Sequence, residues 1–170
     1  DKSDLQIPVV WNSSGYDSVE TLRILEGKVQ VYMPDFKYSD STLAKRYSKA
    51  EDYPEVALAA LREMFRQVGS YRLDGDGILQ QGLLVRHLIL PRRPKNTKGV
   101  IDLLADTLPP GSFLFSLMSQ YTPMPGLEAF PELQGTVSPA LADFCYNYMV
   151  KCGITDGYYQ DPDSATDEMI

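Results

Sequence analysis

Asp35 and Lys37 stand two residues apart at the end of the apolar run Val29-Gln30-Val31-Tyr32-Met33. On a continuing strand they share a face. A carboxylate and an ammonium side by side at a strand end could bind a zwitterion or a ribose. Equally, they could pair with each other where a loop begins. Asn12 and Ser14 share a face by the same rule and close the run Ile7-Pro8-Val9-Val10-Trp11. Asn-Ser-Ser-Gly is also ordinary turn composition. Arg86 and His87 sit inside Leu83–Leu90. A buried arginine must meet a carboxylate or an anionic ligand. One of these two neighbours must face the strand-end site and the other the helices; Arg86 is expected to face the site. His87, the only histidine, reads as a hydrogen-bonded structural residue. Ser116, Ser119, Gln120 and Tyr121 end another apolar run. The segment from Gln120 to Val137 that follows is long for a compact domain, which points to a functional loop.

Other chemistries are excluded by type and spacing. One histidine cannot build a Ser-His-Asp triad or a His-rich zinc site. Asp74-Gly75-Asp76-Gly77 fails the calcium-loop pattern, because Ile78 stands where a third oxygen ligand belongs. No GxGxxG and no GxxxxGK[ST] occurs. Cys145 and Cys152 are seven apart on a predicted helix, about 10.5 Å of rise, too far for a mutual disulfide. The net charge of −7 argues against nucleic acid as the partner. Arg92-Arg93-Pro94-Lys95 is too short to reverse that and reads as a solvated loop. No apolar run approaches the roughly 20 residues of a membrane span. Asp1-Lys2-Ser3-Asp4 does not open a signal peptide. Free thiols without a targeting segment suit a cytoplasmic location.

The elements that must position these residues alternate. With 170 residues, the chain is long enough for one sizeable core. Ile7–Trp11 reads as a strand, then Asp17 to Glu26 as a helix with Asp17 as N-cap and Gly27 after it. Val29–Met33 is a second strand, followed by helices at Asp40–Tyr47 and Pro54–Val68. The Asp-Gly pairs suggest a small hairpin within Tyr71–Gly82. Leu83–Leu90 is a third strand. A helix capped by Asn96 or Thr97 runs to about Leu108, then Phe113–Met118 is a fourth strand. Ser138-Pro139 opens a last helix that Gly153 ends. Gly157–Gln160 is a short final strand. Such alternation predicts an α/β fold with parallel strands and right-handed crossovers. Four or five strands fall short of a closed barrel, so a half barrel with outer helices is expected over residues 1–160, with a frayed acidic tail over 161–170.

Four ordered stretches carry a family resemblance: Val9–Tyr16, Val31–Tyr38, Gly82–Pro91 and Ser116–Pro123. Together they resemble the radical S-adenosylmethionine (SAM) enzymes, in the branch similar to pyruvate formate-lyase activating enzyme. The resemblance implies a partial β/α barrel, a [4Fe–4S] cluster on a CxxxCxxC loop, and SAM cleaved to a 5′-deoxyadenosyl radical that abstracts hydrogen. It implies that Asn12, Ser14, Asp35, Lys37, Arg86 and Tyr121 form the SAM-binding mouth, with Leu117 and Met118 as an apolar wall for adenine. A glycyl-radical enzyme or other protein is the implied partner. This sequence lacks the CxxxCxxC and the Gly-Gly-Glu-like motif, both of which belong upstream of Asp1. The chain is therefore expected to be the carboxyl-terminal half, inactive alone and inclined to self-associate through exposed sheet edges. The competing expectation is a stand-alone α/β module that binds a nucleotide-like ligand without redox chemistry.

Overall fold

The computed structural model describes residues 7–160. The polar opening at Asp1–Asp4 and the acidic tail 161–170 lie outside the described residues. The chain order is β1 (Val10–Ser13), α1 (Val19–Leu25), β2 (Val31–Pro34), α2 (Ser41–Ser48), α3 (Tyr53–Val68), β3 (Arg72–Leu73), β4 (Leu79–Leu88), α4 (Pro94–Thr107), β5 (Leu114–Met118), a 3-10 turn at Pro131–Leu133, α5 (Pro139–Lys151) and β6 (Gly157–Gln160). The sheet runs β1-β2-β4-β5-β6, with every neighbouring pair parallel. β3 lies off this path, antiparallel to β4. It is the hairpin that the Asp-Gly pairs predict: Asp74 Oδ1 accepts the N–H groups of Asp76 and Ile78 inside the turn.

Parallel strands need crossovers, and here helices supply them. Alternate residues divide between two faces most clearly along β4 and the segment after β2, whereas β5 is buried on both faces as far as Leu117. Tyr32 and Phe36, then Leu83, Val85, His87 and Ile89, then Phe115 and Leu117 are buried on the helix side. They share one core with Leu22, Ala57, Leu61, Met64, Ile101, Leu104 and Met149 from the helices. Met33, Asp35, Lys37, Arg86, Leu88 and Met118 take the other parity and are only partly covered. A parallel sheet with helices along the crossovers and a partly open second face is a partial β/α barrel, as the alternation predicts.

Several local expectations are corrected. Ser18, not Asp17, caps α1, its side chain accepting the Thr21 N–H. The Asp17 carboxylate is taken by Trp11 Nε1–H and Ser13 O–H instead. α4 starts at Pro94, so Asn96 and Thr97 are buried in its first turn rather than capping it. Proline at N1 dictates that earlier start, since its missing N–H costs nothing there. β1 lies further along than Ile7–Trp11, because its pairing with β2 runs from Val10 to Ser13. Leu117 points into the helical core and is fully buried, so it cannot wall the mouth; Met118 has the right parity. Cys145 and Cys152 are both free thiols. Among the described residues no helix is long and apolar enough to cross a membrane.

Candidate functional site

The β2–β4 register places Asp35 directly opposite Arg86. Both side chains rise on the partly open face, at the carboxyl ends of their strands. Arg86 Nε and a terminal guanidinium nitrogen reach Asp35 Oδ1 at 2.9 and 2.8 Å. The same terminal group donates to Asn12 Oδ1 at 2.9 Å, across the whole width of β2. Lys37 Nζ pairs with Asp35 Oδ2 at 2.7 Å. One carboxylate thus holds two cations, and three strands are stitched together by one polar cluster. Exposure of the Asp35, Arg86 and Lys37 side chains is 20%, 27% and 42%, so the cluster is reachable from solvent. A cavity of about 300 Å³ opens beside it, lined by Asp35, Lys37 and Arg86 together with Tyr38, Leu88, Leu90 and Met118. That is the lower end of ligand-pocket sizes, with charge of both signs and apolar side chains in its lining.

Two of the expected mouth residues stand apart. Ser14 is exposed; its Oγ lies 3.5 Å from the Tyr16 N–H, and its carbonyl is bound from below by Tyr53. The Tyr121 hydroxyl donates to Leu133 O at 3.0 Å, folding the Gln120–Val137 loop on itself. That loop is fastened further by Glu132, whose Oε1 accepts from Arg46, Tyr47 and Arg93. These bonds hold the Glu132 carboxyl down at about 2, with its own backbone N–H the largest contributor.

What positions Asp35 and Lys37 is a set of buried side chains under their backbone. Beyond Pro34 the strand pairing thins, and each polar group of segment 35–39 must find another partner. Tyr53, 3% exposed on α3, provides three contacts. Its hydroxyl accepts the Lys37 N–H at 2.9 Å and shares its proton between Ser14 O at 2.8 Å and Asp35 O at 3.0 Å. Burial raises its pKa well above the ordinary value, so it remains a donor. Asn96 acts like a short strand: Oδ1 accepts the Ser39 N–H at 3.0 Å while Nδ2 donates to Lys37 O at 2.9 Å. Gly15, at φ +76°, brings the β1 loop so close that an added Cβ would sit 2.2 Å from Asp35 O. Sequence reasoning missed Tyr53 and Asn96 as parts of this site.

His87 completes the support from the helix side, as a structural residue. Nδ1–H donates to Phe36 O at 2.6 Å, because a carbonyl can only accept. Nε2 therefore accepts from the Thr97 hydroxyl at 2.9 Å, which fixes the neutral tautomer. Burial lowers the His87 pKa to about 4, against smaller opposing contributions from Phe36 O and the Asp35 carboxylate. In the unfolded chain it titrates near 6.5. Between these values the unfolded state binds more protons, so folding stability is complete above about pH 6.5 and falls as pH drops toward 4. The expected loss is about 2 kcal/mol between pH 7 and 4.5, readable as a falling urea midpoint. A folded His87→Gln protein should lack that slope; an equal slope in both would remove His87 as its source.

The chain's own residues do not fit an iron–sulfur cluster. Its two cysteines lie on α5 and at its end, and no group of three His, Cys, Asp or Glu able to hold a metal occurs among the described residues. They do fit a zwitterion with an apolar body: the cavity is lined both by the opposed charges of Asp35, Lys37 and Arg86 and by the apolar Leu88, Leu90 and Met118.

No family model matches the chain. An uncharacterized protein of Methanocaldococcus jannaschii is 28% identical over 131 residues, 76% of this chain and 34% of that protein. The chain thus spans about a third of the length of that curated relative. Among solved structures, a domain of pyruvate-formate lyase-activating enzyme from Bacteroides vulgatus superposes with a TM-score of 0.61 at 15% identity, covering 89% of this chain and 80% of that one. At that identity the likeness is one of fold. Along most of its length this chain has the fold of the activating-enzyme domain, the resemblance that the four strand-end stretches carry.

Proposed function

We propose that this chain is the SAM-binding, carboxyl-terminal part of a radical SAM enzyme of the activating type, and that Asn12, Asp35, Lys37 and Arg86 are its ligand contacts. The observation that carries the reading is the Asp35–Arg86–Lys37 cluster at the strand ends beside a partly apolar cavity. The methionyl end of SAM presents an ammonium and a carboxylate. Asp35 is the acceptor for the ammonium, and Arg86 and Lys37 are the donors for the carboxylate. Binding exchanges internal ion pairs for equivalent ones to ligand, so the charges stay compensated throughout. Asn12 holds the Arg86 guanidinium in place during the exchange. Leu88, Leu90 and Met118 offer surface to the adenine. In such enzymes SAM supplies a 5′-deoxyadenosyl radical for hydrogen abstraction. The electron source would have to be held by cysteines other than Cys145 and Cys152, and the natural acceptor is a glycyl-radical enzyme or another protein. A cytoplasmic setting suits the two free thiols.

The test is to express the chain with the sequence encoded upstream of Asp1, which is expected to carry CxxxCxxC. After anaerobic reconstitution with iron and sulfide and reduction, 5′-deoxyadenosine should form from SAM, and Arg86→Leu should abolish it. Absence of cleavage by fully loaded protein would sink the enzyme reading. One observation favours a second reading, a binding module without redox chemistry: among the described residues no group of three His, Cys, Asp or Glu could hold a metal. Saturable SAM binding by the 170-residue chain, with no cysteine motif encoded upstream, would decide for it.

A further inference from the structure

A larger cavity, about 700 Å³, lies between the loop after β2 and the loop after β4. Like the first, it sits where βα loops gather at the carboxyl ends of strands, and it shares no lining residue with the zwitterion cavity. Leu43 of α2 and Leu103 of α4 give it apolar surface, and Ser39 with the buried Asn96 forms its polar back. Gly99 makes the junction possible: an added Cβ would meet Ser39 Oγ at 2.5 Å. A glycine inside a helix costs about 1 kcal/mol, so the close approach is a built feature.

The charges on this cavity fall into two groups. Asp40 is occupied, its Oδ1 accepting the Leu43 N–H as the cap of α2. Arg93 is occupied by Tyr47 and Glu132. Arg92 and Lys95 are exposed, and neither makes a side-chain hydrogen bond or an ion pair among the described residues. Arg92 also holds a left-handed backbone, φ 58°, that a non-glycine residue adopts only at a cost. In a chain of net charge −7, two unpaired cations thus line a cavity whose one carboxylate, Asp40, caps α2 through Oδ1.

We infer that this cavity binds a small organic anion, a carboxylate or phosphate carried on a short apolar body. Arg92 and Lys95 take the anionic group, and Leu43 and Leu103 take the body. Two unpaired cations against the one carboxylate of Asp40 make the cavity favour an anion over a zwitterion. It adjoins the Asn96 amide that holds the Lys37 carbonyl, and it stands independently of the reading for the mouth.

The experiment is a titration of the ¹⁵N-labelled full chain, followed by amide shifts, with hexyl phosphate, hexanoate, inorganic phosphate and hexanol. Hexyl phosphate or hexanoate should saturably shift the amides of Ser39, Lys95 and Gly99; which one binds tighter assigns the anionic group. Inorganic phosphate should bind roughly tenfold more weakly, and hexanol not at all. Arg92→Ala with Lys95→Ala should weaken binding at least roughly tenfold while the rest of the spectrum stays in place, since both side chains are exposed. Leu103→Ala should weaken hexyl phosphate but not inorganic phosphate. The inference is overturned by the absence of shifts at millimolar ligand, by undiminished binding in the double variant, or by shifts centred on Asp35 and Arg86. It is equally overturned if a glutamate-rich peptide binds there and neither alkyl anion does, which would make the cavity a protein-docking surface.

Discussion

Tyr53→Phe is expected to cost about 3 kcal/mol of stability, a fall in Tm of roughly 6–12 °C for a chain of this length. The substitution keeps the ring, and with it the stacking on Tyr16 and the edge contacts to Phe36 and Tyr38. Only the hydroxyl is lost. Its removal leaves the Lys37 N–H, Ser14 O and Asp35 O short of a partner at a place that water reaches poorly. An unmade buried bond costs about 1–3 kcal/mol, more than the net gain from making one. The loss should be local as well as global. Amide exchange at Lys37 should quicken more than exchange in α5, and ligand affinity at the mouth should fall even in conditions where the variant is fully folded. A loss under about 1 kcal/mol with unchanged exchange at Lys37 would show that the backbone of segment 35–39 holds itself.

The sequence made the sheet legible because its signals are local. Val29–Met33 and Leu83–Leu90 are short β-branched and leucine-rich runs bounded by turns, and the period of two assigned Asp35 and Lys37 to one face without reference to any partner. Placing Arg86 toward the site and His87 toward the helices needed one more physical step, the cost of an unpaired buried guanidinium. The supports of the site were not legible. Tyr53 meets Lys37 across 16 residues and Asn96 meets Lys37 across 59, and both do so through backbone atoms that carry no side-chain signature. Asn96 was moreover disguised by a stronger local rule, because asparagine near a helix start reads as a cap. Leu117 was assigned to the wrong wall for a related reason. Leu114–Leu117 is buried on both faces, so its pattern carries no alternation to say which side is which. Tyr121 illustrates the limit for loops: its hydroxyl is directed by a carbonyl 12 residues on.

Asp35→Ala should invert the charge preference of the mouth rather than merely weaken it. In the native cluster one carboxylate compensates both Arg86 and Lys37. A zwitterionic ligand offers each protein charge a replacement, so its gain is the difference between two sets of pairs. A ligand with only a carboxylate must compete with Asp35 for the two cations and leaves the aspartate without one of its partners. Removing Asp35 reverses both cases. The ammonium of a zwitterion then meets two cations with no acceptor, while a bare carboxylate meets two donors with no rival. Methionine and 4-(methylthio)butyrate differ by that ammonium alone and serve as probes. With calorimetric titration at low salt, the variant should bind methionine at least roughly thirtyfold more weakly and the deaminated acid roughly tenfold more tightly, about 2 and 1.4 kcal/mol in opposite senses. Both differences should shrink with added salt, since the cluster is a fifth to two-fifths exposed. Arg86 keeps its bond to Asn12, so the fold should tolerate the change with a loss of about 1–2 kcal/mol. Equal weakening of both probes would mean that Asp35 only braces the strand ends, and that the two cations do not meet ligand at all.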